Sequence, residues 1–479
     1  MNKRMIAFVI GRILLTEAAL LVIPLAVALL CGESPAPFLL PIALLVLLGG
    51  LMSFRRPRST SLFARDGLAV VALAWIAMSA FGALPFYVSG EIPSYVDCFF
   101  ETVSGFTTTG ASILPEVESL SKSILFWRSF THWVGGMGVL VFVMAVLPMT
   151  DGHGMHLLRA EVPGPTVGKL VSRMGDSAKI LYGIYLVMTI VEIILLLLGG
   201  MPLFDACINS FGSAGTGGFS CRNLSIGAYN NAYYDVVIGI FMLLFGVNFN
   251  LYYMMLIKRI GGALKSRELW CYLAIVITEG TVIAFNIRGM YSGTEETVRA
   301  SFFQVASVIT TTGYSTADFN MWPDLSKGIL FILMFIGGCA GSTAGGLKVS
   351  RVMMLFKSAG RELKKVLHPR TVSTVHFEGK PLDESTLGSA NAYFALYMIC
   401  LGVIFLLLSF EPKGLETNLS AAVSCFNNIG PGLGAVGPAA TYAGYSVFSK
   451  LVLSFAMLLG RLEIYPLLLA LMPSTWTKK

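Results

Sequence analysis

Residues 97–112 read DCFFETVSGFTTTGAS, and three later stretches of the chain repeat this plan. Each has a short, mostly apolar run followed by a turn rich in small residues. The later stretches are DACINSFGSAGTGGFS at 205–220, ASFFQVASVITTTGYS at 300–315 and LSAAVSCFNNIGPGLG at 419–434. An apolar run of about ten residues is too short to cross a bilayer and is typical of a re-entrant segment. Non-helical backbone at membrane depth persists only where it is buried in protein or lines a water-filled cavity.

The composition of the whole chain is that of a membrane protein. Of its 479 residues, 55% are apolar and only 13% are charged, whereas soluble chains average about 25% charged residues. This excludes a soluble enzyme, a coiled coil, a disordered scaffold and a secreted disulfide domain. The eight cysteines are dispersed without a CxxC pair, so we expect neither a metal site nor a disulfide framework. Nothing in the charge pattern indicates binding to nucleic acid.

Hydropathy predicts ten spanning helices. Their ranges are 7–30, 38–52, 68–88, 124–148, 180–200, 235–256, 269–287, 328–356, 390–410 and 446–471. The second is short and contains Pro41. The first could be a signal peptide, but Arg12 and Glu17 interrupt it and it extends to Leu30, beyond the usual apolar core of about 7–15 residues. We therefore interpret it as a transmembrane helix.

The distribution of Lys and Arg predicts the orientation. With a cytoplasmic N-terminus, the inner segments carry 25 Lys and Arg residues and the outer segments carry 6. Basic residues accumulate in cytoplasmic loops. We therefore expect both termini in the cytoplasm, which requires an even number of spans.

The four stretches align on one glycine each, and this alignment predicts the architecture. The aligned glycines are Gly110, Gly218, Gly313 and Gly432, preceded two positions earlier by Thr108, Thr216, Thr311 and Gly430. Each stretch lies between two spans on the same side of the membrane. The sequence thus predicts an all-α integral membrane protein with two N-terminal helices and four helix–pore loop–helix pseudo-repeats around one central pore. The predicted units are 1–67, 68–150, 151–260, 261–370 and 371–479.

Four such turns around one axis suit a monovalent cation. Glycine lets the backbone adopt positive φ and turn its carbonyls inward, and rings of carbonyl oxygens replace the hydration shell of an ion. Threonine hydroxyls would add ligands, and the negative C-terminal ends of the short helices would favour a cation. The predicted filter residues are Thr108, Thr109, Gly110, Ala111, Thr216, Gly217, Gly218, Phe219, Thr311, Thr312, Gly313, Tyr314, Gly430, Pro431, Gly432 and Leu433. The alternative, that glycine and threonine merely pack helices together, is disfavoured by four aligned copies.

Two further features are candidates for a gate. The eighth span contains GGCAGSTAGG at 337–346, and glycine is costly inside a helix, so we expect this stretch to be unwound. It is either a flexible plug, through Gly337, Gly338, Gly341, Gly345 and Gly346, or a close helix contact. Arg461 lies within the tenth span, where an ionisable residue indicates a functional site. It either projects into the pore or forms a buried ion pair with an acid such as Glu192 or Glu279.

Other polar residues are weaker candidates. His132 is expected to be a packed core residue, and His153 with His156 lacks a third metal ligand nearby. Asp97, Glu101 and Asp205 could concentrate cations at a pore mouth, although solvated loop charges are the simpler interpretation. The basic run at 361–370 is expected to lie at the inner surface, where it could contact a partner or anionic lipid.

The four loop sequences and FIGGCAGSTAGGLKVSR at 335–351 resemble the Trk/Ktr/HKT superfamily of potassium transporters, and the two extra N-terminal helices point to its bacterial TrkH branch. The resemblance covers nearly the whole chain. It implies potassium as the transported ion, glycine at four key filter positions, and an intramembrane gating loop above an arginine, here Arg461. It also implies a homodimer in the bacterial inner membrane, with one pore per chain. The fourth loop departs from the pattern because it lacks threonine, which predicts an asymmetric inner ion site.

The resemblance also implies a peripheral cytoplasmic nucleotide-binding regulatory subunit, TrkA-like, on the basic inner face. The chain has no Walker-type phosphate loop, so we expect no organic cofactor here and no enzymatic activity. Two alternatives remain at this stage. A secondary transporter with broken helices would fit the eighth span but not four equivalent outer loops. An intramembrane enzyme would need paired titratable groups within the spans, and these are few and scattered.

Overall fold

The structure, a computed structural model, describes residues 2–55, 57, 64–138, 174–370 and 374–476. These residues are nearly all helical, and one antiparallel pair of two-residue strands, β1 (His376–Phe377) and β2 (Lys380–Pro381), lies among the helices. The described helices are α1 (Lys3–Cys31), α2 (Ala36–Ser53), α3 (Ala64–Gly82), α4 (Leu84–Ser89), α5 (Tyr95–Phe106), α6 (Lys122–Gly136), α7 (Met174–Leu198), α8 (Leu203–Gly215), α9 (Ala232–Phe245), α10 (Phe249–Leu256), α11 (Ile260–Ala263), α12 (Arg267–Ile287), α13 (Thr294–Ile309), α14 (Asp324–Ile336), α15 (Val349–Leu367), α16 (Glu384–Leu408), α17 (Leu415–Phe426), α18 (Val447–Arg461), α19 (Tyr465–Leu471) and α20 (Pro473–Trp476).

Several of these helices are suited to cross a membrane. Six described stretches are long and apolar enough: α1, α2, Arg65–Ser89, most of α7, α12 and α16; the bent pair α9–α10 makes a seventh if it is counted as one span. Large apolar side chains on their outer surfaces, such as Leu51 and Leu198, are exposed. Such surfaces are stable against lipid, and all backbone groups within a helix are satisfied internally. The chain is therefore a multi-pass, all-α membrane protein, as predicted.

The predicted two-helix N-terminal extension is a tightly packed hairpin of α1 and α2. A methyl group added to Gly11 would lie 2.9 Å from the carbonyl oxygen of Gly49, and one added to Gly49 would lie 2.8 Å from that of Gly11. Small residues at such crossings let two helix backbones approach closely. Helix α1 also packs against α3 and α6, and α2 packs against α4.

The predicted sixth span, 235–256, is wrong as a continuous helix. Its two halves, α9 and α10, meet at an angle of 89°. The side chain of Asn248 caps α10 by accepting a 2.9 Å hydrogen bond from the N–H of Asn250. The carbonyl of Gly246 at the end of α9 accepts instead from the N–H of Cys339, at 2.9 Å. Partners outside the helix therefore satisfy the backbone at the break.

The tenth span, 446–471, was predicted as one helix and also breaks. Helix α18 ends at Arg461, and α19 begins four residues later at Tyr465. Between them, Glu463 and Ile464 adopt positive φ values of 54° and 65°, a costly conformation for residues with a Cβ. Pro466, the second residue of α19, has no N–H to donate to the carbonyl of Leu462, so a proline marks the end of this break.

The predicted interruption of the eighth span is confirmed. Helix α14 ends at Ile336 and α15 begins at Val349, and residues 337–348 between them are not helical. The fourth predicted span, 124–148, begins as expected with α6, which ends at Gly136. Its last part, from residue 139, lies outside the described residues.

Four short helices, α5, α8, α13 and α17, occupy the four repeated stretches. They are 12, 13, 16 and 12 residues long. Such helices are too short to cross a bilayer. Each ends in a turn, and the turn leads to α6, α9, α14 or α18 respectively. Each repeated stretch therefore has the same order of elements: a short helix, a turn and a second helix.

Candidate functional site

The four turns share one backbone hydrogen bond. We define the first turn as residues 107–111, the second as 215–219, the third as 310–314 and the fourth as 427–431. In each, one N–H donates to the carbonyl five residues earlier: Thr109 to Ser104 at 2.8 Å, Gly217 to Gly212 at 2.8 Å, Thr312 to Ser307 at 2.8 Å and Ile429 to Ser424 at 3.0 Å. A hydrogen bond of this kind closes a helix whose end is followed by a residue in the left-handed conformation, here the residue directly before the donor. All four short helices therefore end in the same way.

The left-handed position is not occupied by glycine in any of the four turns. It holds Thr108, Thr216, Thr311 and Asn428, with φ values of 54°, 55°, 55° and 57°. Asparagine tolerates this conformation, but for a β-branched residue it is an outlier that costs free energy. Strained residues of this kind persist where the surrounding structure fixes them, and they cluster at functional sites. The strain therefore marks these turns as a candidate site.

A glycine with positive φ follows two residues later in every turn, and these four glycines close the turns into a ring. A methyl group added to Gly110 would lie 2.0 Å from the carbonyl oxygen of Gly217. The corresponding distances are 2.1 Å from Gly218 to Thr312, 2.0 Å from Gly313 to Ile429 and 2.6 Å from Gly430 to Thr109. Each turn thus contacts the next, and the fourth contacts the first. No side chain fits at these positions, so glycine is required for closure.

The ring corrects the predicted alignment of the fourth stretch. Gly430, with φ of 99°, is the equivalent of Gly110, whereas the alignment used Gly432. The N–H of Gly432 donates instead to the carbonyl of Val436 at 2.7 Å, beyond the turn. The predicted position of Gly432 and Leu433 in the ring is therefore wrong, and the fourth turn contributes Asn428, Ile429 and Gly430 with Pro431. The signal that could have found this register is Asn428, since asparagine is the residue other than glycine that best tolerates positive φ.

Two oxygen atoms at the left-handed positions have no hydrogen-bond partner. They are Oγ1 of Thr108 and Oδ1 of Asn428, both fully buried. The amide nitrogen of Asn428 is satisfied, since it donates to Oγ1 of Thr109 at 3.0 Å and to the carbonyl of Met457 at 2.9 Å. Buried polar atoms are nearly always paired. Two free acceptors beside a ring of carbonyls are therefore suited to a cation.

The ring lies between a cavity and the glycine-rich segment. The cavity, of about 170 Å³, is lined by residues of all four turns, including Gly110, Gly218, Gly313 and Gly430. On the other side, the N–H of Gly345 donates to Oγ1 of Thr311 at 2.6 Å. The ring therefore faces the cavity on one side and is covered by the glycine-rich segment on the other.

A buried ion pair binds the residues that directly follow the first and second turns. Nε of Arg128 lies 2.6 Å from Oε1 of Glu101, and both side chains are almost completely buried. Glu101 also accepts from the hydroxyl of Ser112 at 2.9 Å and from the N–H of Ile113 at 3.0 Å. The guanidinium donates to the carbonyl of Ser220 at 3.1 Å. The pair therefore ties the residues that follow one turn to those that follow the next.

The interpretation of Asp97, Glu101 and Asp205 as solvated loop charges is wrong. Besides Glu101, Asp97 pairs with Lys450 at 2.6 Å, and Asp205 pairs with Arg222 at 3.3 Å. A charged side chain is stable away from water only when it is paired or hydrogen-bonded. These carboxylates hold the outer loops together.

The glycine-rich segment, residues 337–348, is bound on several sides. The hydroxyl of Thr343 donates to the carbonyl of Phe245 at 3.2 Å, and Gly341 accepts from the N–H of Phe249 at 3.0 Å. A methyl group on Gly345 would lie 2.4 Å from the carbonyl oxygen of Asn427. Gly337, Gly341 and Gly346 have positive φ, so the segment depends on glycine for both its path and its fit. Of the predicted glycines, Gly345 makes the closest contact with the ring; Gly338 lies beside Gly246.

Arg461 contacts this segment directly. Its guanidinium donates to the carbonyl of Thr343 at 2.8 Å and to those of Gly135 and Gly136 at 2.6 and 2.7 Å. The bonded carbonyls lie at the end of α6 and in the glycine-rich segment, while Arg461 itself ends α18. Hydrogen bonds from a charged group are roughly twice as strong as neutral ones. One side chain therefore links the end of α6, the glycine-rich segment and the end of α18.

Sequence reasoning missed three residues that fix the segment's ends. Glu268 accepts from the N–H of Ala340 at 2.7 Å and from that of Ser350 at 3.1 Å. Arg351 forms an ion pair with Glu463, with an Nη1–Oε1 distance of 3.2 Å, and its guanidinium lies 4.3 Å from the ring centre of Tyr393. These partners are distant in the sequence, so no local pattern indicates them.

His132 is a packed residue, as expected. It is fully buried, its Nδ1 lies 2.7 Å from the carbonyl oxygen of Gly105, and its ring stacks on Phe219 with centroids 4.1 Å apart. Among the described residues, no group of three His, Cys, Asp or Glu side chains is arranged to hold a metal ion. His153 and His156 lie outside the described residues.

Comparison with known proteins connects this geometry to a family. The family TrkH, described as a cation transport protein, matches residues 36–275 and 273–478. The Trk system potassium uptake protein TrkH of Salmonella typhimurium is 34% identical over 486 residues, covering 99% of this chain and 100% of that protein. TrkI of Halomonas elongata, also a Trk system potassium uptake protein, is 32% identical over 470 residues and covers 96% of this chain and 94% of its own. The crystal structure of the potassium transporter TrkH from Vibrio parahaemolyticus superposes with a TM-score of 0.89, at 33% identity and over the full length of both chains.

Proposed function

Because this chain belongs to the TrkH family of cation transport proteins, we propose that it takes up potassium through a channel-like pore whose filter is the ring of four turns. The observation that carries the proposal is the closure of the ring, in which four glycines each contact the next turn. Relatives over the full length are named potassium uptake proteins, so this chain is a transport protein and not an enzyme.

The chemistry of the ring suits a weakly hydrated monovalent cation. Carbonyl oxygens of the four turns, with the hydroxyl of Thr108 and the amide oxygen of Asn428, would replace water around the ion. The four short helices all end at the ring, so their negative C-terminal ends converge there and stabilise positive charge. The fourth turn offers asparagine where the others offer threonine. The ion site is therefore asymmetric in our proposal, and its ligands come from 108–111, 216–219, 311–314 and 428–431.

The glycine-rich segment is proposed as the gate. It lies against the third and fourth turns through Gly345, and it is held there by Arg461. A guanidinium close to the ion path also repels cations. Opening would require the segment to leave the ring, together with rearrangement of the Arg461 contacts.

The wider assembly follows from the resemblance and the charge pattern. We place the chain in the bacterial inner membrane with both termini in the cytoplasm, as a homodimer with one pore per chain and with repeats at 68–150, 151–260, 261–370 and 371–479. A nucleotide-binding regulatory subunit would dock on the basic inner face. Helix α15 offers exposed basic side chains there, including Lys364 and Lys365.

The proposal is tested by cation flux into proteoliposomes that contain only this chain. Fluxes of potassium, rubidium, sodium and lithium are compared for the wild type and for Gly218→Ser. Gly402→Ser is the matched control, because no atom lies within 4 Å of the added Cβ and the glycine is in the middle of α16. We expect preference for potassium and rubidium in the wild type and the control, and loss of that preference in Gly218→Ser. If wild type is inactive, the same comparison is made in an Arg461→Ala background. Absence of cation flux in every variant would overturn the proposal.

A further inference from the structure

One carbonyl of the ring is bound differently from its three equivalents. The carbonyl oxygen of Gly430 accepts two hydrogen bonds, from the hydroxyl of Tyr442 and from that of Ser424, both at 2.8 Å. The equivalent carbonyls of the other three turns are those of Gly110, Gly218 and Gly313. Between described residues, none of these three accepts a hydrogen bond. A carbonyl oxygen has two lone pairs, so hydroxyl groups occupy both acceptor sites of the Gly430 oxygen.

The serine comes from the helix position whose carbonyl accepts the bond that closes each turn. In the third turn this position holds Ser307, whose hydroxyl donates at 2.6 Å to the carbonyl of Tyr314, one residue beyond the ring glycine. In the first turn it holds Ser104, whose hydroxyl has no partner among the described residues. The second turn has a glycine there. In the fourth turn, by contrast, the hydroxyl of Ser424 reaches the carbonyl of the ring glycine itself.

Tyr442 is fixed on the side of the first turn. It is 2% exposed, and its N–H donates to the carbonyl of Ser112 at 2.8 Å. The centre of its aromatic side chain lies 5.8 Å from that of Phe100 on α5. The hydroxyl of a buried tyrosine usually finds a hydrogen-bond partner, and here the partner is a carbonyl of the fourth turn. Tyr442 therefore connects the fourth turn to the residues around the first.

The contact between the fourth and first turns is the loosest of the four. A methyl group added to Gly430 would lie 2.6 Å from the carbonyl oxygen of Thr109, whereas the other three such distances are 2.0 to 2.1 Å. The φ value of Gly430 is 99°, and those of its equivalents are 78°, 78° and 81°. Both differences are expected for a peptide group that two hydroxyls hold out of line with the other three.

We propose that Tyr442, together with Ser424, is a positioning residue that sets the ion specificity of the ring. The two hydroxyls hold the Gly430 oxygen away from the ion, so that the ring glycines of three turns, and not of four, offer it their carbonyls. Selectivity among monovalent cations depends on the number and field strength of the carbonyl dipoles around the ion. The inference rests on the proposed function, because it requires that the ring is the filter.

The test removes the two hydroxyls and measures rubidium and sodium fluxes into proteoliposomes over a range of ion concentrations. The variants are Tyr442→Phe and Tyr442→Phe/Ser424→Ala, each also made in an Arg461→Ala background in case the wild type is inactive. A released carbonyl adds a ligand, which favours the larger and more weakly hydrated ion. We therefore expect the rubidium-to-sodium flux ratio to rise about threefold in the double variant, with a lower KM for rubidium. Tyr442→Phe alone should give a smaller change in the same direction, because Ser424 still binds the carbonyl.

Tyr445→Phe is the matched control. Tyr445 is also buried and its aromatic side chain stacks on that of Tyr442, but its hydroxyl donates to Oδ1 of Asn418 at 3.0 Å. This variant should keep the flux ratio and KM of the wild type, while the thermal midpoints of the two single tyrosine variants fall by similar amounts.

Two results would overturn the proposal. An unchanged flux ratio and KM in the double variant, or a fall in the ratio, would leave the two hydroxyls with a structural role only. Absence of cation flux in every protein, including Arg461→Ala, would reject the proposed function and this inference with it. Selective flux in the wild type therefore separates a failure of the inference from a failure of the proposed function.

Discussion

The backbone N–H of Gly345 donates a 2.6 Å hydrogen bond to Oγ1 of Thr311. Thr311 has positive φ, which is a costly conformation for threonine, and Gly345 is packed so closely that a Cβ would not fit. The bond joins the glycine-rich segment to the third turn of the ring. A threonine at this left-handed position thus contacts the segment as well as forming the turn, so the position of the segment is coupled to the geometry of the ring.

Removal of that acceptor should release the segment. Thr311→Val keeps the shape of the side chain but leaves the buried N–H of Gly345 unpaired, which costs about 1–3 kcal/mol. We expect potassium flux through the chain alone to increase several-fold, with the preference over sodium retained. The measurement is rubidium uptake by proteoliposomes, and Thr311→Ser, which keeps the hydroxyl, is the control and should behave like wild type. If Thr311→Val instead lost selectivity without any rise in flux, the hydroxyl would serve the ion and not the segment.

Arg461 offers a second way to release the segment. Arg461→Ala removes the hydrogen bonds to Thr343, Gly135 and Gly136 and the positive charge near the ion path. Loss of charged hydrogen bonds worth roughly 1.5–3 kcal/mol each should raise basal potassium flux by an order of magnitude or more. Arg12→Ala removes a different, exposed arginine from α1 and should leave flux unchanged. Equal flux in wild type and Arg461→Ala, with both proteins folded, would contradict a role in gating.

The sequence predicts the unwound segment and the ring glycines of the first three turns, because glycine has strong local preferences. Five glycines between 337 and 346 are incompatible with a stable helix, and the structure is non-helical there. The break after Arg461 has one local signal, Pro466, because a proline cannot donate the backbone hydrogen bond that would continue the helix from Leu462. The carbonyls that Arg461 binds at this break are distant in the sequence, and contacts of this kind cannot be predicted from one local stretch.

The ion pair behind the ring was missed for a related reason. Glu101 and Arg128 are 27 positions apart and lie on different helices, and nothing in their local sequence predicts burial. The sequence suggested a loop charge at a pore mouth. The fold instead buries the carboxylate beside the first turn, where it also accepts hydrogen bonds from the hydroxyl of Ser112 and the N–H of Ile113.

Removal of one partner of the Glu101–Arg128 ion pair should lower the stability of the protein. Glu101→Gln leaves the charge of Arg128 buried without a partner, and breaking a buried pair on one side costs about 3–5 kcal/mol. We expect a clear fall in the thermal midpoint in detergent and a reduced rubidium-to-sodium flux ratio, since the first and second turns lose their support. In Glu101→Gln/Arg128→Met the uncompensated charge is gone, and much of the stability should return. Additive losses in the double variant would show that the two residues act independently.

The register of the fourth turn can be tested by two alanine substitutions two residues apart. Gly430 has φ of 99°, and an added Cβ would lie 2.6 Å from the backbone oxygen of Thr109. Gly432 does not have positive φ, and the nearest atoms to its added Cβ are side-chain atoms of Val436 and Ser420, at 2.9 and 3.0 Å. Side chains can move aside, whereas a backbone carbonyl that forms part of a closed ring cannot move without opening the ring.

We therefore expect Gly430→Ala to abolish the preference for potassium over sodium and Gly432→Ala to retain most of it, in parallel flux measurements. Gly402→Ala serves as the control for insertion of a methyl group into a helix, where no neighbour lies within 4 Å. The opposite ranking, with Gly432→Ala the more severe, would restore the alignment suggested by the sequence. It would also mean that Asn428 does not occupy the position of Thr108, Thr216 and Thr311, because the two assignments differ by the same two residues.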